Sequence, residues 1–494
     1  MPLNEQEIDR IVQRVMRDVG TEYQPYGRTV PTALPTMADA VSSAELRGLG
    51  TSLGDGLFAT LDDAIRAAER AFIELQAMPL SIRNKMISAI RHMGTDNAVL
   101  LAQLAHSETG MGRAEDKVIK NWMNANLTPG PEYLVTEAFS GDGGLTITEY
   151  APFGLIGSII PSTNPTSTVI NNTIGMVSAG NAIVFNAHPS AKRASNTTIQ
   201  LLNRAIMSAG GPANLVTACI DPSIETATAL MHDPRIRLLV VTGGAAVVQA
   251  AMKSGKRAIC AGPGNPPAVV DETADLEQAG RDIVRGASFD NNIICTTEKG
   301  TFAVERIASD LVEAMAAHGG YVVTSWQLRR LWNAVCREDH GPGQAAYMHK
   351  EFIGQNASVL LREIGVKVGP EVRLIIAEVE PDHPLVWTEQ MMPLMPVVRM
   401  PDVYSAIDLA WRSEHGYRHT ATMHSKNVDH MTHMARLMNC SIFVKNGPNF
   451  AGLGMEGEGY CSYTIASPTG EGLTTCRTFS RLRRCTLKDN FRIV

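Results

Sequence analysis

The chain predicts an α/β protein built on parallel sheet, and three observations carry that expectation. Short apolar runs recur at 155–160, 182–185, 215–220, 236–241 and 257–260. Helix-length segments, such as 194–207 and 245–252, fall between them. Polar or glycine-rich turns close the runs: Pro161-Ser162-Thr163-Asn164-Pro165, Asn186-Ala187-His188-Pro189-Ser190 and Thr242-Gly243-Gly244. Strand and helix alternating at roughly 25–30 residues imply right-handed βαβ crossovers. Such sheets bind ligands beyond the carboxyl ends of their strands, where these turns fall.

In chain order, residues 1–20 come first as an amphipathic helix. Leu3, Ile8, Ile11, Val12, Val15 and Val19 share helical spacing, with Glu5, Asp9, Arg10, Arg14 and Arg17 between them. Residues 21–51, with Pro25, Pro31 and Pro35, read as a linker of little periodicity. A tethered helix of this kind either docks on a partner or folds back on its own protein. The globular part opens near Phe58. Thr60 with Asp63 resembles a capping box, and Ala64, Ile65, Ala68, Phe72 and Leu75 continue one helical face. A second helix is expected over 82–104, ended by Ser107-Glu108-Thr109-Gly110. Residues 146–150 alternate like a strand. A second α/β block opens at 268–271, with further strands at 373–379 and 441–444. The Met- and Pro-rich stretch 389–397 reads as core or cleft wall, and 446–459 as a glycine-rich loop. The arginine-rich tail 474–492 suits an edge strand that pairs with another strand, in this subunit or a second one.

Composition excludes several classes. The 494 residues carry a net charge of -6, which gives no electrostatic case for nucleic acid or an anionic membrane. No apolar run approaches the ~20 residues of a membrane span. The eight cysteines lack framework or metal spacing, so they read as reduced cytosolic thiols and no metal is expected.

One cysteine has a distinctive setting: Ser288-Phe289-Asp290-Asn291-Asn292-Ile293-Ile294-Cys295-Thr296-Thr297-Glu298-Lys299. A lone cysteine is ordinarily a small buried hydrophobe. Cys295, however, has a polar approach and a polar exit, where amides and hydroxyls can orient a thiolate or an oxyanion. Local sequence leaves both readings open.

Four segments in order decide between them: Ile160-Pro161-Ser162-Thr163-Asn164-Pro165-Thr166, Ala261-Gly262-Pro263-Gly264-Asn265-Pro266-Pro267, the Cys295 segment, and Pro468-Thr469-Gly470-Glu471-Gly472. Together they resemble the CoA-acylating branch of the aldehyde dehydrogenase superfamily, from about residue 52 onward. The nearest resemblance is to the propionaldehyde and acetaldehyde dehydrogenases of bacterial microcompartments. It implies a Rossmann-like cofactor domain (52–140 and 152–264), an α/β catalytic domain (265–445) and an oligomerisation strand flap (141–151 and 474–494). It implies Cys295 as nucleophile and Asn164 as oxyanion donor. Pro161, Ser162, Thr163, His188, Pro189, Thr242, Gly243, Gly244 and Glu389 are implied around the dinucleotide. Glu389 falls where the family holds the nicotinamide ribose.

Three departures from the family pattern are visible. Ala261 stands where hydrolytic members carry a glutamate base, which favours transfer to CoA over water attack. His188 replaces a lysine that commonly contacts the adenosine ribose, leaving NAD against NADP open. Val248 replaces a glycine of the pyrophosphate turn. The expected reaction is NAD-dependent, CoA-acylating oxidation of a short-chain aldehyde, propionaldehyde first, through a Cys295 thioester. Acetaldehyde as main substrate and a hydrolytic reaction are the alternatives. A homo-oligomer, dimer or tetramer, is implied in the bacterial cytoplasm within a microcompartment, with residues 1–20 meeting shell or core proteins.

Overall fold

The computed structural model describes residues 21–24, 28–31, 34–37, 42, 46 and 48–493. The expected helix at 1–20 lies outside them.

Two parallel sheets organise the chain. The first has six strands in the order Ala258–Ala261, Ile236–Thr242, Leu155–Ile159, Ala182–Asn186, Val216–Cys219 and Leu57–Phe58. The five expected strands are all present, within a residue or two. The sixth is a two-residue edge piece, too short to show a period. These strands are buried on both faces, so they read as continuous apolar runs rather than alternations. The helix Leu61–Ala77 covers one face, and the Thr60 side chain accepts from the Asp63 amide at its start. Asp63 returns its carboxylate to the Thr60 hydroxyl, 2.7 Å away, rather than to the backbone amide of a full capping box.

The second sheet has seven strands, in the order Gly320–Val322, Leu374–Glu378, Leu394–Met400, Gly300–Val304, Pro267–Val270, Thr420–His424 and Ile442–Lys445. Residues 389–397, expected as core or cleft wall, are both: Glu389 and Met391 line the cleft, and from Leu394 the chain is a buried interior strand, which the sequence did not reveal. Pro396 masks it, because proline cannot donate to a ladder and is depleted from central strands. The strand is extended all the same, and every residue but Arg399 is buried.

Three other expectations are corrected. The helix expected over 82–104 is two helices, Leu80–Asp96 and Ala98–Thr109. Asn97 breaks them at φ -103°, ψ 12°, with its side-chain amide donating to Met93 O in competition with the ladder. Residues 21–51 are more than a linker: Thr21–Gln24 pairs antiparallel with Arg28–Pro31. The end of that stretch is docked as well, since the Arg193 guanidinium binds the carbonyls of Leu46 and Leu49. Finally, the strand flap begins at Glu137. Glu137–Gly141, Gly144–Pro152 and Ser480–Lys488 form one antiparallel sheet, so the tail pairs within its own chain.

Several helices went unread, and two of them bear on the site. Ala114–Leu127 buries Asp116, Lys117, Lys120, Asn121 and Asn124 beside its apolar residues, and Pro165–Ser178 is buried on every side. Neither has the single apolar stripe that marks a surface helix.

Candidate active site

The first sheet turns its carboxyl ends toward the amino ends of the second, and a cleft of about 560 Å³ lies between them. From the first sheet come the turn after Ile159, the turn after Asn186 and the turn after Val241. From the second come Ile293 and Cys295, which precede the strand Gly300–Val304, and Glu389 and Met391, which precede Leu394–Met400. Every residue given a catalytic or cofactor role from the resemblance lines this cleft: Cys295, Asn164, Pro161, Ser162, Thr163, His188, Pro189, Thr242, Gly243, Gly244 and Glu389. Ala261 is buried at a strand end beside it, and Gly262 and Pro263 reach the wall.

Asn164 is the N-cap residue of the helix Pro165–Ser178, and proline at the first helical position suits that start. Its side chain makes no cap bond. Instead the amide bonds Thr163 Oγ1 at 3.0 Å, while its other end is buried without a partner. Turning the amide by 180° keeps the Thr163 bond, with the hydroxyl donating, and frees both N–H groups for a new acceptor. The helix end adds its positive dipole at this point.

The Cys295 segment is held very differently. Asp290, Asn291 and Asn292 take φ of 49°, 53° and 67°, three consecutive left-handed residues. Only Gly, Asn and Asp visit that region routinely, which accounts for the residue types. Each side chain fixes the turn. Asn292 donates to Ala287 O and Glu298 O, and Asn291 to Gly354 O and Asn356 Oδ1. The buried Lys299 ammonium reaches back to Asn292 O, Asn292 Oδ1, Ile294 O and Thr297 Oγ1. Gly264 fits between Cys295 O and the His419 ring; a Cβ there would meet them at 2.8 and 3.1 Å.

Cys295 is partly open to the cleft, yet the protein around it pushes its thiol up to about 12. Burial is the largest cause, and the Glu389 carboxylate adds to it. Lys299, the backbone amide of Cys295 and Lys120 pull the other way. Burial draws Lys299 itself down to about 8, opposed by Glu389 and Cys295. Burial likewise raises Glu389, whose Oε1 accepts from Gly264 N at 3.3 Å. The buried His419 is held neutral, at about 4, by desolvation and the Lys299 charge. Its Nδ1 lies 2.8 Å from Thr420 Oγ1, and its Nε2 has no protein partner.

The far end of the cleft fits a dinucleotide. Gly244 opens the helix Ala245–Lys253 with no side-chain cap, so its first amides face an anion unobstructed. A Cβ on Gly244 would meet nothing within 4 Å, whereas one on Gly243 would meet Val247 at 2.7 Å. Val248 is buried under the turn rather than lining it. His188 caps its own turn, accepting from Ser190 N, and burial and Lys350 disfavour its charge. Among the described residues no cluster of His, Cys, Asp or Glu could hold a metal. No described helix is long and apolar enough to cross a membrane, and all eight cysteines are free.

Sequence reasoning missed Lys117, Lys120, Lys299 and His419. Lysines on a helix are ordinarily solvated, and nothing local reveals that these are buried. Lys299 ends the Cys295 segment itself, and only that proximity could have flagged it.

A parallel-sheet cleft lined by a cysteine and by the N-cap asparagine of a helix defines a class, and a family comparison agrees. The chain belongs to the aldehyde dehydrogenase family, whose pattern matches residues 55–460. It is 47% identical to the acetaldehyde dehydrogenase (acetylating) of Bilophila wadsworthia, with 100% of both chains covered. A Rhodopseudomonas palustris propionaldehyde dehydrogenase, solved with bound CoA and an acylated cysteine, is similar at 45% identity and TM-score 0.86, covering 88% of this chain and 99% of that one. So is a propionaldehyde dehydrogenase from the fucose utilisation microcompartment of Clostridium phytofermentans, at 43% identity and TM-score 0.86, covering 89% and 100%.

Proposed function

We propose that this chain oxidises a short-chain aldehyde to its acyl-CoA, with NAD as acceptor, through a thioester on Cys295. The observation that carries the reading is the cleft itself, where Cys295 and Asn164 line one cavity between the two sheets; buried Ala261 is the position where, by the resemblance, hydrolytic members carry a glutamate base.

The Cys295 thiolate attacks the aldehyde carbon. The alkoxide that forms is received by the Asn164 amide and the Cys295 backbone N–H, each such donor being worth about 2.7–4 kcal/mol of barrier. A nicotinamide held in the cleft would supply the hydride acceptor. Thr242, Gly243 and Gly244, with the helix behind them, would hold the dinucleotide phosphates, and Glu389 the nicotinamide ribose. Pro161, Ser162, Thr163, His188 and Pro189 complete the cofactor wall. Glu389 is the cleft carboxylate nearest in role to a base, but it is engaged by Gly264 N. With water poorly activated, the CoA thiol takes the acyl group, releasing acyl-CoA and the Cys295 thiol.

Propionaldehyde is the proposed main substrate, with acetaldehyde the second reading, which the likeness to an acetylating acetaldehyde dehydrogenase favours. The likeness to a microcompartment enzyme supports work inside such a shell, in the bacterial cytoplasm. Residues 1–20 would then dock on shell or core proteins, and the strand flap would join copies into a dimer or tetramer. The test is steady-state NADH formation and acyl-CoA detection with each aldehyde, with and without CoA. The reading expects acyl-CoA and CoA-dependent turnover, fastest with propionaldehyde. Free acid produced at the same rate without CoA would overturn it.

A further inference from the structure

A group of five charges, four of them buried and Arg373 half-buried, links the two turns. Asp290 is fully buried; its Oδ1 accepts from Arg113 N, and its Oδ2 accepts from Lys117 Nζ at 2.9 Å and Lys120 Nζ at 2.5 Å. Asp290 N donates to Asp116 Oδ2, which is also paired with Arg373 at 2.8 Å. Two carboxylates against three cations leave one positive charge in excess. Burying so many ions is costly, and a stability role alone would be served as well by apolar packing.

Lys120 differs from its neighbours in one contact. Its Nζ also donates to Thr163 O at 3.3 Å, the carbonyl immediately before Asn164. A single ammonium thus bonds both the turn that leads to Cys295 and the turn that presents Asn164. Lys117 touches only the Asp290 side.

We infer that Lys120 is a positioning residue for the reaction. Its ammonium fixes the separation of the nucleophile turn and the Asn164 turn and supplies positive charge under the Cys295 thiolate. The inference rests on the reading of Cys295 as nucleophile and Asn164 as oxyanion donor. The charged and titratable groups facing Cys295 are Glu389, Lys299, Lys120 and Tyr463, while those facing Lys120 are Asp290, Lys117 and Asp116. Burial lowers Lys120 to about 8 and Asp290 opposes that; burial resists ionisation of Asp290, and the two ammoniums outweigh it. Lys120 is therefore mostly charged at neutral pH.

The test compares Lys120→Met, Lys120→Gln and Lys117→Met. Steady-state kinetics, melting temperature and the pH dependence of iodoacetamide labelling at Cys295, read by mass spectrometry, are measured for each. Lys120→Met is expected to lose kcat at least tenfold with KM for the aldehyde within about twofold. Labelling at pH 7.5 should slow by roughly tenfold as the thiolate loses its support. Lys120→Gln keeps a hydrogen bond without the charge, so it should recover part of kcat but none of the labelling rate. Lys117→Met should lose less kcat than Lys120→Met. A folded Lys120→Met with unchanged kcat and labelling profile would overturn the inference, as would a fall in melting temperature alone. Should the Lys120 variants not fold, Asp290→Asn carries the test. It leaves the ammonium charge and removes its anchor, so kcat should fall while labelling becomes faster; unchanged kcat overturns the inference. Cys295→Ser is run alongside. If it retains NADH formation, the nucleophile assignment fails. If it is inactive while Lys120→Met behaves as wild type, only this inference fails.

Discussion

The two turns that meet in the cleft are built by opposite means. The Asn164 turn is where a buried strand ends and a helix begins, so regular backbone places it. The Cys295 turn follows three left-handed residues, and side chains from distant elements hold it. The first turn needs little from its own sequence beyond a proline and an amide. The second requires Asp and Asn at set positions and buried lysines elsewhere to neutralise them. Substitutions should accordingly act on chemistry at both turns, but on folding mainly at the second.

The largest effect tests the nucleophile. Cys295→Ala should reduce NADH formation to background, while Cys260→Ala, in a neighbouring buried strand, should keep most activity. Comparable losses in the two variants would break the contrast.

Asn164→Ala comes next. Loss of one oxyanion donor should lower kcat by about 10²–10³-fold. Because regular backbone carries this turn, the melting temperature should stay close to wild type.

At the other turn the expected cost is to stability. Asn292→Ala removes the bonds to Ala287 O and Glu298 O and the Oδ1 that accepts from Lys299, and puts a residue less tolerant of a left-handed φ at a position held at 67°. We expect a loss of about 1–3 kcal/mol in denaturant unfolding. Asn292→Gly loses the same bonds without the backbone strain and should recover about 1–2 kcal/mol relative to Ala. Equal losses would mean that the left-handed turn is not a constraint.

The smallest effect is a pH slope. Burial raises Glu298 to about 8; its Oε1 accepts from Asn449 N, and its Oε2 has no protein partner. The folded chain therefore keeps a proton that the unfolded chain releases above its ordinary carboxyl range. Stability linked to this group falls as pH rises from about 4.5 to about 8 and is level outside that window. Glu298→Gln, always neutral, should show a shallower decline in melting temperature across that range. A parallel decline would place the slope elsewhere.

The same contrast explains what could be read from the sequence. The first sheet was legible strand by strand, because two-sided burial writes itself as apolar runs. The strand Leu394–Met400 was obscured by Pro396, and the edge piece Leu57–Phe58 by its brevity. The eleven site residues named from the resemblance all line one cleft; nine adjoin strands of the legible first sheet, while Cys295 and Glu389 precede strands of the second that the sequence did not show. Lys117, Lys120 and His419 were not legible. Their role depends on which remote elements fold against them, and a lysine by itself carries no mark of burial.

The most direct test of the central claim, that CoA rather than water resolves the Cys295 thioester, is a stopped-flow record of NADH with aldehyde and NAD but no CoA. The account predicts a burst near one NADH per active site, then a rate lower by about 10²–10⁴-fold, the usual worth of the missing general base. Adding CoA should restart turnover and yield acyl-CoA. Sustained NADH formation without CoA, at the rate seen with it, would contradict the account.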